Sequence, residues 1–456
     1  MPTIDHSSNP WLQIYIPLAF GSPPKDCQIA LRHTLISVAA YQRGFREGHS
    51  RQQDMHTGFE HEKLALQMLK QAIESQQLRS QTLKQKCTAL AAALGMISIN
   101  VFGPHASDCG VHLNLAERII DTCKSEESVR PSSLTGILYQ IFRCYEMVAN
   151  TARLTARTPT IPWGTPGHDE ASSTPTHPEH LDQCDVHDDD DDGPGAGFAG
   201  YRPFVLNSSF GISQRTMSLL QQTIKYSSIC SNKIVPMSNH TVQQIRILYH
   251  KLCDVEVNPL NFLSPVSAGV IAGCLDACFL HSECVDDTGI TLLPKVISDE
   301  LVENHQLAFH HAVIIYFHQV IPEAYLADKG SDRDFASVII HKRNTCQSLV
   351  RKVWDHLENI DCLTPPDIQF HRGNVLWPAF IAAVESIQIE LRHRALIWFH
   401  KAAKKGVGNT LRAKELVMEV WRRVDRQIDR DSEPVDLGPV DWRVVMNETG
   451  QSFMLT

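Results

Sequence analysis

The amino-acid sequence predicts an all-α protein, a multi-helix array of stacked helical hairpins with no significant sheet. Three observations carry this. Apolar residues recur at intervals of three and four from end to end, the repeat of one helical face. No run alternates apolar and polar residues long enough to suggest a strand. Helix-start chemistry stands at the right offsets: Ile212 and Met217 flank Ser213 as a hydrophobic staple flanks an N-cap.

The elements follow in order. Pro23 and Pro24 end an entry segment, and an apolar-rich helix follows over Lys25 to Arg43. Phe59, Leu66, Leu69 and Ile73 are spaced by 7, 3 and 4 residues, which puts them on one helical face. Thr82 to Val101 reads as a helix with Leu90, Leu94 and Ile97 on one face, and Leu113 to Cys123 and Ser132 to Asn150 follow. After a break, helices resume at Ser213 and continue over Thr241 to Val255, Pro265 to Phe279, Pro294 to Val320, Phe335 to Leu357, Pro378 to Lys404 and Thr410 to Arg430. Pro378 suits the first position of its helix, and Val417, Val420, Trp421 and Val424 give the last one an apolar stripe. No strict internal period marks a named repeat family.

The break divides the chain. Seven prolines and six glycines fall between Pro159 and Pro203. Such a segment buries too little apolar surface to offset its ordering entropy. The expected organisation is a helical part over 1–156, an acidic Pro/Gly-rich disordered linker over 157–203, and a second helical part over 204–456. Of the net charge of −9, residues 158–200 hold −10 (Asp169, Glu170, Glu179, Asp182, Asp185 and Asp188 to Asp192), with no Lys or Arg among them. The remainder sums to +1, so it carries no basic footprint of the kind that binds nucleic acid.

Thirteen cysteines lack paired spacing and no secretory leader opens the chain, so free thiols in a reducing compartment are expected. The glycosylation-type patterns at Asn207, Asn239 and Asn447 are then chance matches. Phe262 to Leu280 is apolar over nineteen residues but contains Pro265, Gly269, Gly273 and Asp276. A central Asp costs about 3 kcal/mol in a membrane, so a buried core helix is expected there and no membrane span.

The candidate chemistry is thin. Cys274, Cys278, His281 and Cys284 are the tightest metal-like group, but their spacing lacks the CxxC knuckles of structural zinc sites. His305, His310, His311 and His318 share one predicted helix without an HExxH pattern, so partly buried packing histidines are expected. The run Asp188 to Asp192 would suit the magnesium-diphosphate chemistry of helical terpene synthases only on a rigid helix wall facing a second metal motif. It stands instead beside Gly193-Pro194-Gly195. There is no GxSxG elbow, P-loop or GxGxxG. No catalytic, cofactor-binding or metal-binding residue is assigned, and no cofactor is expected.

Several blocks in series carry a family resemblance. They are Asn9-Pro10-Trp11 through Ile16-Pro17-Leu18-Ala19, a helix entering His33 to Ala40, Phe59 to Ile73, and Gly110 to Ala116. Then come Phe210-Gly211-Ile212-Ser213, His311 to Tyr316, Asn374 to Glu385 before Arg392, and Val420 to Asp425 leading to Asp441 through Met446. The series resembles the second type of fungal-specific transcription factor domain, the helical regulatory region that follows Zn2Cys6 zinc clusters. It spans about Asn9 to Gly450, and Leu376-Trp377-Pro378 and Asp441-Trp442-Arg443 are its most specific parts.

The resemblance implies a transcriptional regulator in the nucleus, such as those of biosynthetic gene clusters. It would act through protein partners of the transcription machinery or a DNA-binding factor. A homodimer and a metabolite held between helices are both compatible with it. Only Cys27 occurs in the first 86 residues, so the six-cysteine zinc cluster is absent from this chain and direct DNA binding is not expected. Trp377 and Trp442 are expected as packing anchors, and Asp441 as the cap of the turn into the last segment. The competing readings are a helical scaffold without transcriptional role and an all-α terpene-synthase-like enzyme.

Overall fold

Every regular element among the described residues of the computed structural model is a helix. Those residues are 10–20, 25–46, 51–74, 81–104, 109–123, 134–154, 211–231, 237–256, 295–326, 335–364, 375–430 and 440–455. The helix expected over Pro265 to Phe279 and the acidic segment lie outside them. A π-helical turn, Trp11–Tyr15, runs into α1 (Ile16–Ala19), followed by α2 (Asp26–Phe45), α3 (Arg51–Glu74), α4 (Leu83–Phe102), α5 (Gly110–Cys123) and α6 (Leu134–Thr151). The later elements are α7 (Gln214–Ser231), α8 (Asn239–Cys253), α9 (Lys295–Val320), α10 (Phe335–Leu363), α11 (Leu376–Val384), α12 (Ile389–Ala403), α13 (Gly408–Arg430) and α14 (Trp442–Glu448). Sequence neighbours pack as hairpins: α2 on α3, α4 on α5, α9 on α10, and α12 on α13.

The α2–α3 hairpin corrects one expectation. Phe59 and Leu66 are 48% and 50% exposed, so they lie off the buried face. The face that α3 turns inward is Asp54, Gly58, Ala65, Leu69 and Ala72. Small residues let the two backbones approach, and close approach decides the face here over side-chain size. The fully buried Tyr41 ring lies over Gly58 so closely that a Cβ there would stand 2.5 Å from two ring atoms. Ser37 Oγ donates to Gly58 O at 2.8 Å, Tyr41 Oη to Glu62 at 2.6 Å, and Arg43 to Asp54 at 2.5 Å.

α4 is the central element of the first half. Leu90, Leu94 and Ile97 are buried as expected, but so is every residue from Lys86 to Val101. It is the described helix long and apolar enough to cross a membrane, yet 89% of that window is covered by the protein itself. α2, α3, α5, α6 and α13 pack around it, which explains its all-round apolar surface. Burying each of its Leu and Ile side chains contributes about 1.5–3 kcal/mol as an upper estimate. Gly95 marks the crossing with α2, where the Thr34 methyl fills the space a side chain would take.

Ser213 caps α7 as expected, its Oγ accepting from Thr216 N at 3.1 Å, with Ile212 and Met217 both buried. α10 extends six residues beyond the expected end at Leu357, since Ile360 is also buried and continues the stripe. The single helix expected over Pro378 to Lys404 is two helices, α11 and α12, separated at 385–388. Side chains there satisfy the backbone groups a continuous helix would have paired. Ser386 Oγ donates to Ala382 O at 2.8 Å, and Trp421 Nε1 to Ala383 O at 2.9 Å. Gln347 Oε1 accepts from Ile387 N at 3.1 Å and Gln388 N at 3.4 Å. Pro378 is the third residue of α11 rather than the first. The missing N–H is harmless there too, because the first turn has no carbonyl to meet.

One buried apolar cluster runs from Ile14 to Leu455 and draws on both helical halves. The α12–α13 turn sits on α2 and α4 through glycines. Gly406 adopts φ +81°, and a Cβ at Gly408 would stand 2.5 Å from Gly103 O. Arg412 Nη2 donates to that same carbonyl at 2.6 Å. Beyond α14, Phe453, Met454 and Leu455 return to the core, held by Asn409 Nδ2 donating to Met454 O.

Candidate functional site

The two most specific blocks of the sequence meet on α9. From the first, Trp377 Nε1 donates to Thr151 Oγ1 at 3.0 Å, while its ring stacks on Phe309 at 5.1 Å and meets Tyr316 edge-on at 6.1 Å. From the second, Trp442 Nε1 donates to Gln319 Oε1 at 3.2 Å and its ring meets Phe380 edge-on at 4.9 Å. Gln319 joins the blocks, since its Nε2 donates to Glu385 Oε1 at 2.9 Å. Glu385 also accepts from Cys346 Sγ at 3.8 Å, and its carbonyl from Gln347 Nε2 at 2.7 Å. Asp441 caps α14 by accepting from Arg443 N at 2.9 Å and pairs with the Arg443 side chain at 2.7 Å.

Arg392 closes the α11–α12 joint. Its Nε donates to Ser386 O at 3.0 Å, and its Nη atoms grip Asp425 at 2.9 Å each. Its guanidinium lies 5.3 Å over the Trp421 ring. Trp377 and Trp442 thus each pair a stacked or edge-on ring with a satisfied N–H, the arrangement of a packing anchor. The polar groups mostly donate to and accept from one another, so the arrangement locks helices α6, α9, α10, α11, α13 and α14 in register.

The histidines of α9 are more deeply buried than expected: His305, His310, His311 and His318 are all at most 5% exposed. Hydrogen bonding explains His310. Its Nε2 donates to Leu252 O at 2.9 Å, which leaves Nδ1 to accept from Thr216 Oγ1 at 3.1 Å. His311 and His318 share a face of α9 but meet different neighbours. His311 stacks on His356 of α10 at 5.4 Å, and His318 lies edge-on to Tyr249 of α8 at 5.4 Å. His356 Nδ1 donates to Asn304 Oδ1 at 3.0 Å, and burial followed by His311 pushes its pKa down to about 4. No three His, Cys, Asp or Glu side chains stand together as metal ligands among the described residues. Cys274, Cys278, His281, Cys284 and Asp188 to Asp192 lie outside those residues.

Two further groups come together only in the folded chain. His33 and His61 bring their Nδ1 atoms to 2.7 Å across the α2–α3 hairpin, so one proton serves both. Burial and then His61 lower the pKa of His33. Arg143 is buried in α6 and pairs with Glu146. A signal for it was present: Tyr139, Arg143, Glu146, Asn150 and Arg153, spaced by 4, 3, 4 and 3, form a polar stripe on an otherwise apolar stretch.

A family model described as the fungal specific transcription factor domain matches residues 1–456. The architecture is that of an all-helical regulatory module, and the chain belongs to this fungal transcription factor domain family. No curated protein and no solved structure matches it.

Proposed function

We propose that this chain is a regulatory subunit of fungal transcription that works in the nucleus through other proteins and catalyses no reaction. The observation that carries the reading is the family match over 1–456, joined to the meeting of the Trp377 and Trp442 blocks on α9. Those blocks spend their chemistry on locking helices, which suits a surface-presenting module. On this reading DNA is reached through a DNA-binding partner or a second copy joined to one. The acidic segment 158–200, carrying −10, suits contact with basic surfaces of the transcription machinery. The genes of a biosynthetic cluster are its expected targets.

The test is a reporter assay with the full chain fused to a foreign DNA-binding domain, beside a fluorescent fusion that reports location. Transcription above or below the DNA-binding domain alone, with nuclear fluorescence, supports the reading. A silent reporter despite expressed, folded protein favours a helical scaffold without transcriptional role.

A further inference from the structure

Arg143 is built into α6 where a guanidinium is costly. Its side chain is 3% exposed, against 17% for its partner Glu146. Only Nη1 is paired, with Glu146 Oε2. Nε and Nη2 are buried and meet no hydrogen-bond acceptor among the described residues. These two nitrogens form the side-on edge of the guanidinium, whose parallel N–H bonds match two oxygens of a carboxylate or phosphate. A buried charge with that edge unpaired is retained against a large desolvation penalty, which calls for a reason other than packing.

The surroundings fit an incoming oxyanion. Burial raises the pKa of Glu146 against the pull of Arg143. Arg153 adds a second positive charge just beyond the end of the same stripe, with its Nη1 on Asn150 Oδ1 at 3.2 Å. Against these, Glu117 and Asp121 of α5 face the stripe and oppose a highly charged anion. The balance selects a small group with two in-plane oxygens. Glu146 is the more accessible member of the pair.

We infer that the Tyr139–Arg143–Glu146 stripe of α6, with Arg153 just beyond its end, is a binding site for a small oxyanion, a carboxylate or phosphate group of an effector, held bidentately on Nε and Nη2 of Arg143. The site itself does not depend on the transcriptional reading; only its use as a regulatory input rests on it.

The full chain is titrated at constant ionic strength with sodium phosphate and, separately, with sodium succinate, while its thermal midpoint is followed against a sodium chloride control. At least one oxyanion is expected to raise the wild-type midpoint saturably, since a ligand of the native state stabilises by mass action. The salt acting at lower concentration assigns phosphate or carboxylate. Arg143→Met, folded by circular dichroism, is expected to lose the response. Arg143→Lys keeps the charge but not the fork, and is expected to need at least tenfold more ligand. The inference is overturned if neither oxyanion exceeds chloride, or if Arg143→Met responds as wild type. Should Arg143→Met not fold, an Arg143→Lys response at the wild-type concentration overturns it equally. A silent reporter fusion beside an intact titration sinks the regulatory use and leaves the site standing.

Discussion

Gly95→Ala probes the packing at the centre of the first half. The substitution puts a Cβ on α4 into the space of the Thr34 methyl on α2, with Thr34 Cβ at 3.4 Å and Oγ1 at 3.8 Å. Thr34 cannot swing away, because its Oγ1 donates to Ala30 O at 2.9 Å and its side chain is fully buried. Two effects then compete. Ala is the better helix former by about 1 kcal/mol, whereas overpacking a tight core costs about 1–3 kcal/mol. The net expectation is a loss of about 1–2 kcal/mol. Thr34→Ser alone deletes one buried methyl and costs about 0.8 kcal/mol. In the double variant the new Ala methyl occupies the vacated space, so most of both losses should return, a coupling of at least about 1.5 kcal/mol. Urea unfolding of the four proteins, followed by far-ultraviolet circular dichroism, reads this as midpoints at constant slope. Additive losses would show that the α2–α4 contact is not the one described.

The other expectations follow the same logic. Ser213→Ala removes the α7 cap and the first hydroxyl of the Ser213–Thr216–His310 chain, and should lower unfolding free energy by about 1–2 kcal/mol in the same assay. Trp377→Phe keeps the ring against Phe309 but takes the donor from Thr151 Oγ1, whose hydroxyl still donates to Val148 O at 2.6 Å, and should cost about 0.5–1.5 kcal/mol, while Trp377→Ala should cost about 3–5 kcal/mol. Stability should fall on acidification. The folded pKa of His356 is pushed down to about 4 and that of His33 is also lowered, so the unfolded chain takes up these protons first. The contribution is full above about pH 6.5, the ordinary histidine value, and is lost as pH falls from there to about 4. His356→Gln should flatten that slope by up to about 3 kcal/mol, and an unchanged pH profile would contradict the assignment.

The helices were legible because periodicity reports burial wherever large apolar residues do the burying. Val417, Val420 and Trp421 of α13 are an example, with all three buried. Legibility failed where small residues define the face, as in α3, where Gly58 and Ala65 turn inward and Phe59 and Leu66 outward. It failed at the α11–α12 joint because the groups that end α11 come from elsewhere: Gln347 from α10 and Trp421 from α13. The α14 helix was read only as a capped turn, being seven residues long. Arg143 lies on a stripe visible within one helix, but its unpaired Nε and Nη2 and the His33–His61 contact are properties of the folded chain. The family blocks were visible as strings, but their convergence on Gln319 is a property of the folded chain alone.

The seat of the α12–α13 turn on α2 and α4 bears on how this chain is made. Arg412 reaches back to a carbonyl 309 residues earlier, and the tail at Met454 is fixed by Asn409 of the same region. Nascent α2 and α4 therefore leave the ribosome with part of their apolar surface bare, long before its cover is synthesised. Slow maturation and a strong demand on chaperones are the consequence of such distant pairings. Cells short of chaperones should accumulate this protein in aggregates first recognisable by exposure of its amino-terminal helices.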